Sequence, residues 1–297
     1  MSSLNIKIGT RSSPLALKQT ELFINHLREN IEFSYEIIPI KTTGDKILTK
    51  PLYEIGGKAL FLKELELALI SREIDVAIHS LKDVPGTISD QFCLPFFIGG
   101  EYPSDIFISS KIPSFHDLPK GSKIGTCSPR RISIIKKLMP NIEIVPIRGN
   151  IGSRLGLLDT NQVDAIVLAE AGLRRLGLYD SKICKTLSND DFIPSPGQGI
   201  IAAQTLRNND SLNRMLAKFS NKDIDHRVLV EREFLESLSA DCDSPVAAFV
   251  EKIEDNSFTG RFMYGESLNS NPAFLKRIFY ASERGIGRRI AEEIKLF

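Results

Sequence analysis

The 297-residue sequence lacks an excess of charge of either sign, because 38 lysines and arginines face 37 aspartates and glutamates for a net charge of +1. A general nucleic-acid-binding protein normally carries a large basic excess, so the balance argues against that class. No apolar run approaches the roughly 20 residues needed to span a bilayer, and we expect no membrane partner. Hydrophobic residues make up 42% of the chain and charged residues 25%. These values are typical of a soluble globular protein.

Cysteine is also scarce. The four cysteines are far apart and have none of the spacings of metal ligands, so we expect no metal site. The first residues, MSSLNIKIGTR, lack the apolar segment of a secretory signal. We therefore expect a cytoplasmic protein whose cysteines are free thiols.

The first part of the chain alternates between strand and helix signals. Short β-rich runs lie at IKIG (6–9), YEIIPI (35–40) and DVAIHS (75–80). Helical patterns cover residues 12–30 and 58–73, the first beginning at a Ser-Pro pair. This β-α-β-α-β order predicts a mostly parallel sheet covered by helices.

The pattern then restarts, with further strand signals at 122–125, 142–147 and 164–169. KIGTCSP in this second part repeats the order of KIGTRSSP in the first, and DAIV repeats DVAI. Two matches in the same order predict two similar α/β lobes. Two lobes leave a cleft between them, where ligands usually bind.

A Pro/Gly-rich joint, PSPGQG (194–199), indicates a hinge or crossover. Beyond it, an amphipathic helix at 225–238, three short strands and a final helix from about residue 283 predict a small α+β domain. The predicted boundaries are 1–98 with 195–216 for the first lobe, 99–194 for the second lobe, and 217–297 for the third domain.

Arginines cluster at or beyond the predicted C-terminal ends of strands. Ser128 and Pro129 mark a helix start, and Arg130 and Arg131 occupy its first turn, where a cation is unfavourable unless an anion is present. For any single arginine, a solvated basic face with local acidic partners is the simpler interpretation. The repetition in both lobes favours a site for a polyanion, because guanidinium forks suit carboxylate or phosphate oxygens. The other members of the set are Arg11, Arg148, Arg154, Arg174 and Arg175.

The stretch HSLKDVP places Lys82 and Asp83 directly after a strand that should be buried. A carboxylate among arginines would stay ionised and could stabilise a cationic intermediate. The alternative is an ordinary loop ion pair, and spacing alone favours that alternative.

Two other motifs each allow two interpretations. The glycines before Lys58 suit either a mobile lid with an anion-seeking tip or an ordinary flexible connection. Cys242 is flanked by Asp241 and Asp243, which should raise the pKa of its thiol. From spacing alone, Cys242 is a plain loop cysteine.

Together these stretches resemble the hydroxymethylbilane synthase family, also called porphobilinogen deaminase. The resemblance runs in the family's order from residue 8 to about residue 245, and the last 50 residues carry little signal. The matching stretches are IGTRSSPLAL, TTGD, GGKALFLKELE, HSLKDVP, GTCSPRR, RGNIGSRL, DAIVLAEAGLRRLGL, PGQG and the segment ER-FLE-L-C-P.

The resemblance implies a fold and an activity. The fold is α/β, with two similar lobes of mixed, mostly parallel sheets like those of periplasmic binding proteins, and a small α+β C-terminal domain. The activity is that of a transferase that joins four porphobilinogen molecules into linear hydroxymethylbilane and releases ammonia at each addition. A dipyrromethane cofactor, built from substrate, primes the chain, and the implied protein is a cytoplasmic monomer.

Residue roles also follow from the resemblance. Cys242 would carry the cofactor through a thioether, and Asp83, with Lys82, would be catalytic by facing the pyrrole nitrogens and stabilising the azafulvene cation. Other cofactor-binding residues would be Ser80, Lys82, Thr126, Ser128, Arg130, Arg131, Arg148 and Arg154. Substrate-binding residues would be Arg11, Ser13, Gln19, Lys58, Arg148, Arg175 and Gln198.

The sequence departs from the family pattern at two places. Ala240 and Asp241 stand where the family commonly has two glycines before the cofactor cysteine. Ser104 stands between Pro103 and Asp105, where the family often has arginine.

Two rival functions remain. A non-catalytic anion-binding module would explain two lobes and a hinge, but it would not need Cys242 or the Lys82-Asp83 pair. A phosphate-handling enzyme could use the helix N-termini, but the sequence has no phosphate-loop motif.

Overall fold

The computed structural model describes residues 4–46, 61–239 and 244–297, and in these ranges the strands form three sheets. The strands are β1 (Asn5–Arg11), β2 (Ser34–Ile40), β3 (Val76–Ser80), β4 (Phe92–Gly99), β5 (Asp105–Ile108), β6 (Lys123–Gly125), β7 (Glu143–Val145), β8 (Ala165–Ala169), β9 (Cys184–Thr186), β10 (Ile200–Leu206), β11 (Val246–Glu254), β12 (Ser257–Tyr264) and β13 (Ala273–Tyr280). The helices are α1 (Pro14–Arg28), α2 (Thr43–Lys46), α3 (Lys63–Ile70), α4 (Pro129–Leu138), α5 (Ile151–Asp159), α6 (Glu170–Arg175), α7 (Asp210–Lys218), α8 (Asp225–Leu238) and α9 (Ile286–Ile294).

The first two sheets have the same plan. Their strand orders are β2-β1-β3-β10-β4 and β7-β6-β8-β5-β9. In each sheet the first three strands are parallel, and the fourth runs antiparallel to both of its neighbours. The predicted fold class, two similar α/β lobes with mixed sheets and a small α+β domain, is confirmed.

The sequence repeat corresponds to equivalent hydrogen bonds in the two lobes. Asp75 Oδ2 accepts a hydrogen bond of 2.8 Å from the backbone N–H of Lys7, and Asp164 Oδ2 accepts one of 2.8 Å from that of Lys123. Each aspartate immediately precedes the third strand of its sheet. Each binds a residue near the start of the parallel strand next to it, β1 in the first sheet and β6 in the second. The DVAI and DAIV echo therefore marks equivalent positions in the two lobes.

Helix starts follow the same logic in both lobes. Ser13 Oγ accepts a hydrogen bond of 3.3 Å from the backbone N–H of Ala16 at the N-terminus of α1. Ser128 Oγ accepts one of 3.5 Å from the N–H of Arg131 at the N-terminus of α4. A proline stands at the first helical position of each helix, where the missing N–H costs nothing.

The antiparallel strands are exchanged between the lobes. β5 follows β4 of the first sheet but lies in the second, whereas β10 follows β9 of the second sheet but lies in the first. The sequence pattern predicted no strand at β4, β5, β9 or β10, although these are strands in the structure. It did predict a hinge or crossover at 194–199, and this segment leads into β10 on its return to the first sheet.

The third domain packs against both lobes. β11, β12 and β13 form an antiparallel sheet, and successive residues of β11 point to opposite faces. Ala247 and Phe249 join the core of the second lobe, while Ala248 and Val250 pack with α8 and α9. Val228 on α8 packs with Leu81 and Val84 of the first lobe. Helix α8 therefore bridges the third domain and the first lobe.

Two kinds of feature are absent from the described ranges. No helix there is long and apolar enough to cross a bilayer. No cluster of three or more histidines, cysteines, aspartates or glutamates in residues 4–46, 61–239 and 244–297 could hold a metal ion.

Candidate active site

Lys82 and Asp83 lie in a single 3-10 turn, Leu81–Asp83, directly after β3. Leu81 and Val84 on either side are buried, whereas Lys82 and Asp83 are half-buried. Gly197 has a φ of +72°, and a Cβ there would lie 2.7 Å from Leu81 Cγ. The turn is therefore fixed through its apolar residues, which leaves its two charged side chains at the edge of the cleft.

Lys82 joins the two lobes through Gln198. Its Nζ donates to Gln198 Oε1 at 3.3 Å, and Gln198 Nε2 donates to Asp105 Oδ1 at 2.9 Å and to the Pro103 carbonyl at 2.7 Å. Burial and the positive charge of Arg131 together lower the pKa of Lys82 to about 8, while Asp83 and Asp105 oppose the change. The ammonium group is thus disfavoured chiefly by burial, with charges of both signs nearby.

Asp105 is the anion that the paired arginines require. It is fully buried, with its Oδ2 2.7 Å from Arg130 Nη1 and its Oδ1 2.8 Å from Arg131 Nη2. Burial alone would raise the pKa of Asp105, but the two guanidinium groups hold it well below the usual range. Arg130 also donates to the Ile193 carbonyl at 2.7 Å and Arg131 to the Val167 carbonyl at 3.0 Å. Sequence reasoning missed this role of Asp105, which lies 25 residues before Arg130.

A second group of polar residues lines the turns after β6 and β7. The Thr126 hydroxyl accepts a hydrogen bond of 3.2 Å from the N–H of Ser128. Arg154 Nε donates to the Gly149 carbonyl at 2.9 Å, next to Arg148. Burial lowers the pKa of Arg154, with the charge of Arg131 adding to the effect and Asp83 opposing it. Arg154, on the second lobe, is therefore within electrostatic range of Asp83, on the first.

Cys127 lies in the same turn. It is a free thiol, as are Cys93 and Cys184, so the expectation of free thiols holds for these three cysteines. Burial raises the pKa of the Cys127 thiol, although the nearby Arg154 opposes the change. The thiol is therefore protonated at neutral pH.

The first lobe contributes a matching turn after β1. The guanidinium carbon of Arg11 lies 3.9 Å from the centroid of the Phe61 ring. Gln19, buried on α1, donates from Nε2 to Ser80 Oγ at 2.8 Å and accepts from the same hydroxyl at 3.1 Å. This reciprocal contact ties α1 to the end of β3, two residues before Lys82.

His79 lies on β3 behind the Lys82-Asp83 turn. Gln204 Nε2 donates to Glu66 Oε1 at 2.8 Å, so its Oε1 faces His79 Nε2 at 3.0 Å and accepts the proton there. Burial lowers the pKa of His79 to about 4, although Gln204 and Asp83 oppose the change. His79 is therefore a neutral, structurally bound histidine at physiological pH.

Arg175 contacts the predicted hinge segment, 194–199. Its Nη2 donates to the Gly199 carbonyl, and burial lowers its pKa while Glu101 opposes the change. Gly199 has a φ of +89°, and a Cβ there would lie 2.9 Å from the Glu101 carbonyl oxygen. Only glycine fits this close approach of the two crossover segments.

Helix α8 holds the same crossover segments from the other side. Arg227 donates to the Gln198 carbonyl at 2.8 Å and to Glu231 Oε1 at 2.8 Å. Glu231 is fully buried and accepts hydrogen bonds from Gly197 N–H at 2.7 Å and Val250 N–H at 3.0 Å. No sequence pattern marks this pair as buried, because an i, i+4 Arg-Glu pair in a helix usually lies on the surface.

Only part of the predicted site falls within the described residues. Most of those described border the cleft between the lobes or the crossover segments beside it, and Ser13 serves as the N-cap of α1. Lys58 and Cys242 lie outside the described residues. The other described members of the predicted set are Arg11, Gln19, Ser80, Lys82, Asp83, Thr126, Ser128, Arg130, Arg131, Arg148, Arg154, Arg175 and Gln198.

The donor set restricts the ligand. Lys82, Arg131 and Arg154 are mutually repulsive cations at a site where Asp83 and Asp105 supply only part of the opposing charge. Such an arrangement suits a ligand with several carboxylates. A single half-buried carboxylate, Asp83, suits N–H donors or a developing positive charge. The family resemblance implies a ligand of this kind, a pyrrole with several carboxylates.

Comparison with known families agrees with this chemistry. The profile of the family described as "Porphobilinogen deaminase, dipyromethane cofactor binding domain" matches residues 6–214. The chain belongs to the porphobilinogen deaminase family. Porphobilinogen deaminase of Rickettsia canadensis is 38% identical over 91% of this chain and 90% of that protein. The protein of the same name from Alkaliphilus metalliredigens is 43% identical over 82% of this chain and 77% of that protein.

Porphobilinogen deaminases are transferases, also named hydroxymethylbilane synthases, that carry a dipyrromethane cofactor. This chain is accordingly an enzyme of porphyrin biosynthesis with porphobilinogen as its small-molecule substrate.

Solved structures with a similar chain path include extracellular binding proteins. The probable amino-acid transporter binding protein ytmK of Bacillus subtilis has a TM-score of 0.45 and 13% identity, over 78% of this chain and 97% of that one. An arginine-transport periplasmic binding protein of Legionella pneumophila has a TM-score of 0.41 and 20% identity, over 78% of this chain and all of that one.

Proposed function

We propose that the Lys82-Asp83 turn and the arginines opposite it form the active site at which this porphobilinogen deaminase makes hydroxymethylbilane. The observation that carries the proposal is the position of Asp83, at the end of β3 and within electrostatic range of Lys82 and Arg154. These two cations belong to different lobes, so the carboxylate lies where both lobes meet.

In this proposal the cations of the cleft bind the acetate and propionate groups of the pyrroles. Lys82, Arg148 and Arg154 would hold the carboxylates of the dipyrromethane, and Cys242 would carry its thioether. The dipyrromethane, when bound, supplies the free pyrrole carbon to which the first substrate is joined. Hydrogen-bonding side chains would complete this part of the site: Ser80, Thr126 and Ser128.

Arg130 and Arg131 take a different part from the other arginines. Their contacts with Asp105 and with backbone carbonyls already use several of their N–H groups. We therefore assign them to the wall of the cofactor site, where they supply positive charge and rigidity. The incoming substrate would be bound by the remaining group, which consists of Arg11, Ser13, Gln19, Lys58, Arg148, Arg175 and Gln198.

Asp83 would act on the chemical step. Positive charge develops on the substrate's pyrrole nitrogen as ammonia leaves. A carboxylate beside that nitrogen would stabilise the transition state more than the ground state. Lys82, the residue before Asp83, would bind a neighbouring ligand carboxylate. The two charged residues of the turn would thus bind different groups of the ligand.

Wider features of the protein belong to the same proposal. We take the enzyme to be a cytoplasmic monomer without nucleic-acid or membrane partners. The first lobe comprises 1–98 with 195–216, the second 99–194 and the third domain 217–297. Because residue 216 falls within α7, we place that last boundary after the helix, which ends at Lys218.

Single-turnover ammonia release in Asp83→Asn tests the proposal. Asn keeps the shape and removes the charge, so the rate should fall by at least about a hundredfold with substrate affinity kept. Asp83→Glu should retain more activity than Asn, and Asp90→Asn, an exposed change seven residues on, should behave as wild type. Normal turnover in Asp83→Asn, or a loss that follows unfolding, would return Asp83 to a loop ion pair.

A further inference from the structure

Arg232 on α8 makes a contact with the active-site turn that the mechanism above does not use. Its Nη2 donates to two successive carbonyl oxygens, those of Pro85 at 3.1 Å and Gly86 at 2.8 Å. These residues follow Asp83 by two and three positions in the chain. A side chain of the third domain therefore holds the backbone of a first-lobe turn that carries the reacting carboxylate.

The backbone of this turn lies directly on the helix. A Cβ at Gly86 would be 2.9 Å from the backbone N of Glu236 and 3.0 Å from the carbonyl carbon of Leu235. Because backbone atoms cannot move aside as a flexible side chain can, any change at this contact must move the turn or the helix. The positions of α8 and of the turn are thus tied to each other.

Arginine is suited to this position. Burial lowers the pKa of Arg232 while Glu236 opposes the change, so a charged group is held partly away from water. Charge-assisted hydrogen bonds to two carbonyls offset that cost, and the planar guanidinium spans both acceptors at once. Lysine could keep the charge but has no such fork.

Upstream of the carbonyls, the turn has little freedom of its own. Leu81 and Val84 are packed in the core beside Val228 of α8, and Val84 N–H donates to the Leu81 carbonyl at 3.0 Å. Pro85 has a fixed φ and no N–H. Movement at residues 85–86 would therefore be passed to Asp83 rather than absorbed between them.

We propose that Arg232 is a positioning residue for the reaction. By binding the Pro85 and Gly86 carbonyls it fixes the Asp83 carboxylate relative to α8, the helix that leads in sequence to Cys242. The inference rests on the proposed role of Asp83. It gives the third domain a direct part in aligning the carboxylate with the reacting atoms.

A double-mutant cycle with Arg232→Met and Asp83→Asn, made in the full-length enzyme, tests this inference. A displacement of about 1 Å at a reacting group can cost about a hundredfold in rate. We therefore expect Arg232→Met to lower the single-turnover rate by about tenfold to a hundredfold, with KM within about twofold. Intact mass should still show the cofactor. In the Asp83→Asn background, the same change should cost no more than about twofold, because the group it positions has lost its charge.

Two controls separate positioning from loss of stability or of charge. Ile290→Val trims a buried α9 side chain in the core of the third domain, and Arg214→Met removes an exposed arginine of α7. Both variants should keep the wild-type rate within about twofold. A thermal midpoint for each variant shows whether a slow enzyme is also an unstable one.

Each other result overturns a stated part of the scheme. An equal rate loss from Arg232→Met in both backgrounds would remove the positioning role and leave that of Asp83 intact. A normal rate in Asp83→Asn would remove the proposed role of Asp83 itself. If Arg232→Met does not fold, Arg232→Lys takes its place in the cycle, and a wild-type rate in Arg232→Lys would also overturn the inference.

Discussion

Asp105 Oδ2 lies 2.7 Å from Arg130 Nη1, and both side chains are buried. This pair explains why two cations are tolerated at the N-terminus of α4, where the helix dipole opposes them. The compensating anion comes from β5, the strand that crosses from the first lobe into the second. A buried carboxylate with two arginine partners fixes the crossover against the N-terminus of α4, beside the proposed cofactor site.

Asp105→Asn is expected to destabilise the protein by about 3–5 kcal/mol, because two buried guanidinium groups lose their counter-charge. Urea unfolding would measure the loss. Asp190→Asn is the matched control, since Asp190 is an exposed carboxylate that also binds two cations, Arg261 and Lys276. Its removal should cost less than about 1 kcal/mol. Similar losses in both variants would contradict a special role for the buried cluster.

His79 should make stability depend on acid. Its pKa is about 4 in the folded protein against 6.5 ordinarily, so between these values the unfolded chain binds more protons. Folding stability should fall as the pH drops from 6.5 to 4, by about 1.4 kcal/mol for each pH unit from this group. His79→Gln should flatten the pH dependence of the thermal midpoint in that window. His116→Gln, an exposed histidine, should leave it unchanged, and an equal effect of both would remove His79 as the cause.

Lys82 should limit activity on the alkaline side. Its ammonium group loses its proton near pH 8, so kcat/KM should fall as the pH rises through that value. Stability should change in the opposite direction, because the unfolded chain keeps the proton up to about 10.5 and deprotonation therefore favours folding. Lys82→Arg keeps the charge and should move the decline to higher pH. An unchanged decline would assign it to another group.

Cys242→Ser should give a folded protein without stable dipyrromethane, because oxygen is a poorer nucleophile than sulfur at neutral pH. Intact mass would show wild type heavier by two pyrrole units and the variant at its sequence mass. Cys93→Ser, a change in β4, should keep the added mass. An adduct on Cys242→Ser would put the attachment on another residue, and an unmodified wild type would favour a binding module.

Much of the fold could be predicted from local patterns. The two KIGT…SP stretches share a strand, a serine cap and a proline, and these features depend only on neighbouring residues. The strand β10 could not be predicted in the same way. Its partners, β3 and β4, end at residues 80 and 99, about a hundred residues before it begins at Ile200, and no short-range periodicity records such a pairing.

For the candidate site, the sequence supports a prediction where a residue's type dictates its partner. Clustered arginines indicated an anionic ligand, and Lys82 with Asp83 marked a reactive turn once the family resemblance was included. The partner of Arg130 could not be predicted. Asp105 lies on β5, the strand that crosses from the first lobe into the second, and no local pattern links it to Arg130. Arg232 and Glu231 were missed for a similar reason, since their burial depends on how α8 packs against the first lobe.

The exchange of β5 and β10 also governs the order in which the chain can be completed on the ribosome. When synthesis reaches the end of β4 at Gly99, the strand that belongs between β3 and β4 has not been made. The second sheet, whose strands span Asp105–Thr186, is complete before β10 emerges. Until then, the nascent first lobe exposes two hydrogen-bonding strand edges, which are sites of aggregation. Any polypeptide released before Leu206 would keep those edges open, however well its second lobe had folded.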